Sequence, residues 1–337
     1  MITKPKTTPA EIPADSYDKI KTSGRYVYDE LLQKVCKADN RYQAYYRYLQ
    51  SIWRTKMNLP VKKLDGQKDG DVYGNYIAVD RGNFMTDAIQ ELAEYEMANK
   101  GDRLINEDRM LHNLLSSQPL CFNLFGELKI NPVKALQFFN ILYDNYFSSI
   151  DNIEFEYNPG RCDARLTGDR SAFDVFVEFT STEGKRGFIG IEVKYSETLY
   201  EGRDEVKRTL EKQYCGENRT RRDRYIELSE GLFKSNSINA LVTLPYFQIW
   251  RDHLLAVSML RAFPDKYDEG LFLFLAPYGN KLCRDGANKY VDLLQKQEGL
   301  DSHFCRAWLE DYITTLDAVF DAEWTKNMKE RYLGYNQ

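Results

Sequence analysis

The sequence predicts a mixed α/β protein: a central four-stranded mixed β-sheet flanked by helices, with additional helices at the N-terminal and C-terminal ends. Three observations carry this. Apolar residues recur at spacings of three and four up to about residue 148, and from residue 151 the period changes to two. A short, wholly apolar run, LFLFLAP at 271–277, then reads as a strand covered on both faces. The composition supports a sizeable core, with 43% hydrophobic and 29% charged residues in a chain of 337.

Taken in order, residues 1–15 hold three prolines and no apolar period, which predicts a flexible tail. Residues 16–129 form a mainly helical region. Within it, Tyr26, Tyr28, Leu31, Leu32, Val35 and later Tyr42, Tyr45, Tyr46 and Leu49 predict helix from Ser16 to about Met57. The glycine-rich stretch LDGQKDGDVYGN at 64–75 predicts a loop, and a further helix is expected over 83–98. One or two short helices are expected over 110–125, leading to Gly126. Asn131 as cap and Pro132 as first helical residue start a helix that runs to about Ser148, with Leu136, Phe139, Leu142 and Tyr143 on one face.

Three alternating segments follow, giving strands at 152–158, 171–181 and 187–195, the last two joined by a TEGK hairpin at 182–185. A charged insertion spans 200–235. An amphipathic helix from Tyr246 to Phe263 is stopped by Pro264, and the fourth strand is expected at 270–277. Residues 281–337 are expected to be helices packed back on the core. The core itself is assigned to 130–280.

Function classes are narrowed by what the chain lacks. There is no apolar run long enough to span a membrane and no secretory leader pattern at the start, so a cytoplasmic location is expected. The six cysteines stand singly and only three histidines occur, which disfavours a disulfide framework or a histidine-rich metal site. Lysine plus arginine total 46 against 51 acidic residues, a formal charge of −5, so a histone-like coating of nucleic acid is excluded while a local basic groove is not. The P-loop, nucleophile-elbow, zinc-protease and dinucleotide motifs are all absent.

The chemistry concentrates on the hairpin. By strand parity Asp174, Phe176 and Glu178 share one face of AFDVFVEF, opposite Val175, Val177 and Phe179. In FIGIEVK, Gly190, Glu192 and Lys194 share a face opposite Ile189, Ile191 and Val193. The β-branched side is expected to face the core, leaving two carboxylates and an ammonium together near a strand end, with Gly190 giving room for close backbone approach. Two carboxylates offer hard oxygen ligands to Mg²⁺, or to Mn²⁺ in its place. A nearby lysine orients a water or stabilises the charge that develops as a phosphodiester is cut. If this holds, the carboxylates of Asp174 and Glu192 lie within about 6 Å of each other, close enough to share an ion, with Lys194 beside them and the cluster open to solvent. Their mutual repulsion raises one carboxyl pKa.

Asp174, followed by Glu192-Val193-Lys194 at the end of an apolar strand, resembles the D…(D/E)-x-K signature of the restriction-endonuclease-like PD-(D/E)XK nuclease superfamily. The order helix, three strands, helix, strand is similar to its core, over roughly residues 130 to 280. Phe173 stands where the motif's name has proline. SSQPLCFNLFG at 116–126 and QIWRDHLLA at 248–256 look similar to stretches of bacterial members of that superfamily, themselves largely uncharacterised. The resemblance implies a Mg²⁺-dependent nuclease with Asp174 and Glu192 as metal ligands and Lys194 as the third catalytic residue. Its partner would be nucleic acid, DNA ahead of RNA, in a restriction, defence or repair role. The alternative is a nuclease-like fold that binds nucleic acid or protein without cutting. A homodimer is left open as the assembly.

Accessory candidates are Glu156 and Glu178, as supporting or second-metal carboxylates or as plain strand-edge charges, and Gln248 and Arg251, one turn apart on the amphipathic helix. Arg208, Arg219, Arg221 and Arg222 belong to the densest basic stretch, Arg203 to Arg224, and are the candidates for phosphate contact.

Overall fold

Two residues in the left-handed region end the helical half of the molecule. The helix capped by Asn131 stops at Leu142, and Asp144 (φ 55°) and Asn145 (φ 56°) turn the chain so that the first strand begins at Phe147, earlier than its alternation predicts. Asn140 pins this corner by bonding both the N–H and the C=O of Phe147. The computed structural model describes residues 39–62, 74–199, 203–215 and 218–334, together with Pro9 and Ile12. Most of the predicted tail, the first half of the helix expected from Ser16, most of the 64–75 loop and parts of the charged insertion lie outside the described residues.

The helical region comprises α1 (Arg41–Lys56), α2 (Asp87–Ala98), α3 (Glu107–His112), α4 (Ser117–Ile130) and α5 (Pro132–Leu142). Strands β1 (Phe147–Tyr157), β2 (Phe173–Ser181) and β3 (Arg186–Val193) follow, then α6 (Arg203–Glu211), α7 (Arg221–Leu228), α8 (Ile238–Leu241) and α9 (Phe247–Ala262). The chain continues through β4 (Glu269–Ala276), α10 (Lys281–Leu293), β5 (Phe304–Trp308), α11 (Leu309–Phe320) and α12 (Glu323–Leu333). Local chemistry explains the boundaries. Asn40 and Gln43 form a capping box on α1, Ser116 caps α4, and Asn131 accepts from the Lys134 N–H with proline in the first turn of α5. Gly184, at φ 78°, turns the β2–β3 hairpin, where the Ser181 N–H donates to Lys185 O.

The sheet has five strands in the order β1-β2-β3-β4-β5, antiparallel from β1 to β3 and parallel from β3 to β5. The fifth strand is a difference from the predicted four. Phe304, Trp308 and Tyr312 recur at helical spacing, but parallel pairing with Phe272–Ala276 on β4 overrides that local pattern and draws the segment into the sheet.

Both faces of the sheet are covered, including the hairpin face that the sequence reading left to the charged residues. Val175, Val177, Ile189, Ile191 and Leu273 pack in a core with Tyr46, Phe122, Phe138, Tyr312 and Tyr332, which come from helices at both ends of the chain. Phe176, Phe188, Phe272 and Phe274 pack on the other face against Trp250, Leu254 and Leu255 of α9. Gly190 is a seat for an aromatic ring: a Cβ there would stand 2.5 Å from the Phe173 ring. The space the sequence assigned to close backbone approach is therefore filled from within.

Candidate active site

Strand register brings the chemistry together. Phe155 pairs with Val175 and Tyr157 with Phe173, while Val175 pairs with Ile191. One residue along, Glu156, Asp174 and Glu192 therefore fall on one line across three adjacent strands. Lys194 follows β3, and its N–H still donates to Leu275 O of β4 (2.8 Å), which holds its Cα in line with the sheet.

Each carboxylate is positioned by a different element. Asp174 is half-buried, and its Oδ2 accepts from the Val193 N–H at 2.8 Å. Burial and the neighbouring charges of Glu192 and Glu156 hold its carboxyl well above the usual range, against the pull of Lys194 and the Val193 N–H. Glu192 is 7% exposed. It accepts from Gln248 Nε2 of α9 at 2.6 Å and from Lys194 Nζ at 2.8 Å, both at Oε1. Burial disfavours the Lys194 ammonium, but Glu192, Glu197 and Asp174 outweigh it and raise its pKa, so Lys194 is held as a cation.

Glu156 adopts φ 50°, a left-handed conformation that costs a non-glycine residue energy. Gln118 Nε2, at the start of α4, donates to its Oε1 at 2.6 Å. Burial pushes its pKa up to about 7; Gln118 pulls down, the charge of Glu192 pushes further up, and Arg161 and Arg103 pull down.

Behind the row, α9 adds a second layer. Arg251 Nε bonds Asp252 Oδ1 at 3.1 Å, so Arg251 reaches Asp252 rather than the row itself, while Gln248 one turn earlier reaches Glu192 directly. Asp252 is fully buried, its pKa is raised to about 7 by burial against the pull of Arg251, and its Oδ2 has no hydrogen-bond partner among the described residues. Asp169 accepts from Tyr225 OH, from Thr167 Oγ1 (2.9 Å) and from the Ser171 N–H (2.8 Å). Burial pushes its pKa up, but the charge of Arg251 and these bonds prevail and lower it.

Glu178 is not part of the cluster. It lies four residues along β2, about 13 Å away at strand spacing, where it accepts from Tyr267 OH at 2.6 Å and Lys266 Nζ at 2.8 Å. The basic insertion docks on the β1–β2 loop: Arg224 donates to Leu166 O (3.0 Å) and Arg165 O (2.8 Å), and Tyr214 OH to Ala164 O. Within it Arg219 pairs with Glu227 at 2.5 Å and lies over the Tyr214 ring. Arg208 and Arg222 are exposed, and Arg221 is half-buried with its Nε unbonded among the described residues.

The cluster is more enclosed than the sequence predicts, because α9 covers the face from which Glu192 projects: the side chains of Glu192 and Lys194 are 9% and 12% exposed. Among the described residues no three His, Cys, Asp or Glu side chains are grouped so as to hold an ion by themselves. The carboxylates of Asp174 and Glu192 on adjacent strands still fit Mg²⁺, which keeps several waters and takes few protein ligands. Sequence reasoning missed Asp252 and Arg161. Asp252 had a signal, a carboxylate one helical turn after Gln248 on a largely apolar helix; Arg161 had none.

A family model of the PD-(D/E)XK nuclease superfamily matches residues 37–334, nearly the whole chain. The chain belongs to that superfamily. No curated protein and no solved structure matches it. Among the described residues no helix is long and apolar enough to cross a membrane.

Proposed function

We propose that the protein is a Mg²⁺-dependent nuclease that hydrolyses phosphodiester bonds in nucleic acid, DNA ahead of RNA, in a restriction, defence or repair setting. The observation that carries this is the row Glu156, Asp174 and Glu192 across β1, β2 and β3 with Lys194 on Glu192. Membership of a nuclease superfamily supports it.

Asp174 and Glu192 are the residues that would hold the ion. When bound, it supplies Lewis-acid stabilisation of the phosphate and acidifies a water. Glu192 is fixed for this by Gln248, and Asp174 by the Val193 N–H. Lys194 places a cation beside the same carboxylate, where negative charge grows on the phosphate during attack. Glu156 adds a third carboxylate to the row, and the enclosed setting under α9 strengthens each of these interactions.

Purified protein incubated with DNA and RNA substrates in Mg²⁺ or Mn²⁺ is expected to cut, and Lys194→Ala to bind without cutting. Wild-type binding with no cleavage in any reaction would instead favour a nuclease-like fold that serves as a binding module.

A further inference from the structure

The loop between β1 and β2 carries a guanidinium most of whose donors are unmet. Arg161 is nine-tenths buried as a side chain. Its Nε donates to Asp102 at 2.8 Å, but Asp102 is itself 72% exposed, and such a pair contributes little. Both terminal nitrogens, Nη1 and Nη2, are buried and make no hydrogen bond among the described residues. Arg103 and Arg331 are satisfied by contrast, while Arg221 leaves its Nε unbonded among the described residues. Arg103 reaches Glu96 Oε2, Phe155 O and Asn99 O, and Arg331 reaches Gln50 and both oxygens of Asn83.

Leaving both terminal guanidinium nitrogens buried and unpaired costs free energy. Arg161 stands just past Tyr157, the last residue of β1, at the same end of the sheet as the carboxylate row, and its positive charge reaches Glu156. The planar fork of an arginine presents two parallel donors, the geometry that matches two oxygens of one phosphate. The loop's other two arginines, Arg165 and Arg170, are exposed, and Arg165 already pairs with Asp163 at 2.8 Å.

We propose that Arg161 is a substrate-contacting residue, taking the non-bridging oxygens of a nucleic-acid phosphate brought to Asp174 and Glu192. The proposal rests on the nuclease reading above. Its loop position, beside the docked basic insertion, would let one phosphate be fixed by Arg161 while neighbouring ones meet the insertion.

The test compares wild type, Arg161→Met and Arg161→Lys in three measurements: melting temperature, cleavage in Mg²⁺, and binding of short DNA and RNA duplexes in Ca²⁺ over a range of salt. Arg161→Met is expected to lower nucleic-acid affinity by about tenfold to a hundredfold and to reduce the slope of log K against log salt by about one. Its melting temperature should be unchanged or raised, since two buried nitrogens without partners are removed and only an exposed pairing with Asp102 is lost. Arg161→Lys, which keeps the charge but loses the fork, should fall between. The proposal is overturned if Arg161→Met binds and cuts like wild type, or if both variants lose affinity only in step with a lowered melting temperature. Wild type that cuts while Arg161→Met is unaffected removes Arg161 alone; wild type that neither binds nor cuts removes the nuclease reading and this proposal with it.

Discussion

Glu192 owes its orientation to Gln248 as much as to its own strand, since Gln248 Nε2 and Lys194 Nζ meet at one carboxylate oxygen. Removing that amide leaves the carboxylate held by Lys194 alone and does not touch the row itself. Gln248→Ala is therefore expected to weaken Mn²⁺ affinity or turnover by about 10-fold to 100-fold, read by metal titration of the cleavage rate, with little change in melting temperature. At Gly190 the expected effect is on the fold instead. A methyl at 2.5 Å from the Phe173 ring meets a side chain already stacked near Phe176 and Phe272, so Gly190→Ala should lose about 1–3 kcal/mol in urea unfolding. At this scale the shared face of Asp174, Glu192 and Lys194 was legible from strand parity, while Gln248 was only one of two accessory candidates on its helix, and its contact with Glu192 is seen in the structure alone. Asp252 offered only its spacing from Gln248, and Arg161 offered nothing, because what sets it apart is hydrogen bonds absent among the described residues, and a sequence does not display those.

Among the elements, β2 and β3 were the most legible, since period-two alternation and a Gly-containing turn agree there. β5 was not, because its five residues satisfy a helical pattern until β4 offers them a ladder. The junction of α9, α10 and β5 also carries a pH response. His253 is fully buried between Tyr290 OH (2.9 Å) and Ser302 O (2.7 Å), with the ring of His303 nearby, and burial followed by the charge of His303 lowers its pKa from 6.5 to about 3. The unfolded chain takes up a proton near pH 6.5 and the folded one does not until about 3. Over that window the unfolded state binds more protons, so this contribution to stability is complete above pH 6.5 and is lost as pH falls towards 3. His253→Gln keeps a donor and an acceptor without titrating. Between pH 7 and 4.5 it is expected to lose roughly 2–3 kcal/mol less than wild type, measured by urea unfolding at the two pH values; equal losses would contradict the assignment.

Across the whole molecule, helices from both ends of the chain close over one face of the sheet, and Arg331 is where they join. This fully buried residue of α12 donates to Gln50 of α1 and to both oxygens of Asn83, and Gln50 in turn donates to Tyr195 OH just beyond the active strand. Arg331→Ala strands several buried acceptors and leaves a cavity, so a loss of about 3 kcal/mol or more is expected in thermal or urea unfolding. The helices expected over 281–337 are interrupted by β5, and the sequence offered no sign that α1 and α12 share an arginine, because that contact joins residues 281 apart in the chain.

The central claim, that Asp174 and Glu192 jointly hold the ion used to cut nucleic acid, is tested most directly by Mn²⁺ uptake. The loss of the free-ion electron paramagnetic resonance signal is followed for wild type, Asp174→Asn and Glu192→Gln, each with and without a short DNA duplex. Wild type is expected to take up an ion that both variants fail to bind, with uptake strengthened by DNA because its phosphate completes the ligand set. Equal Mn²⁺ uptake by all three proteins, with DNA present, would contradict the claim.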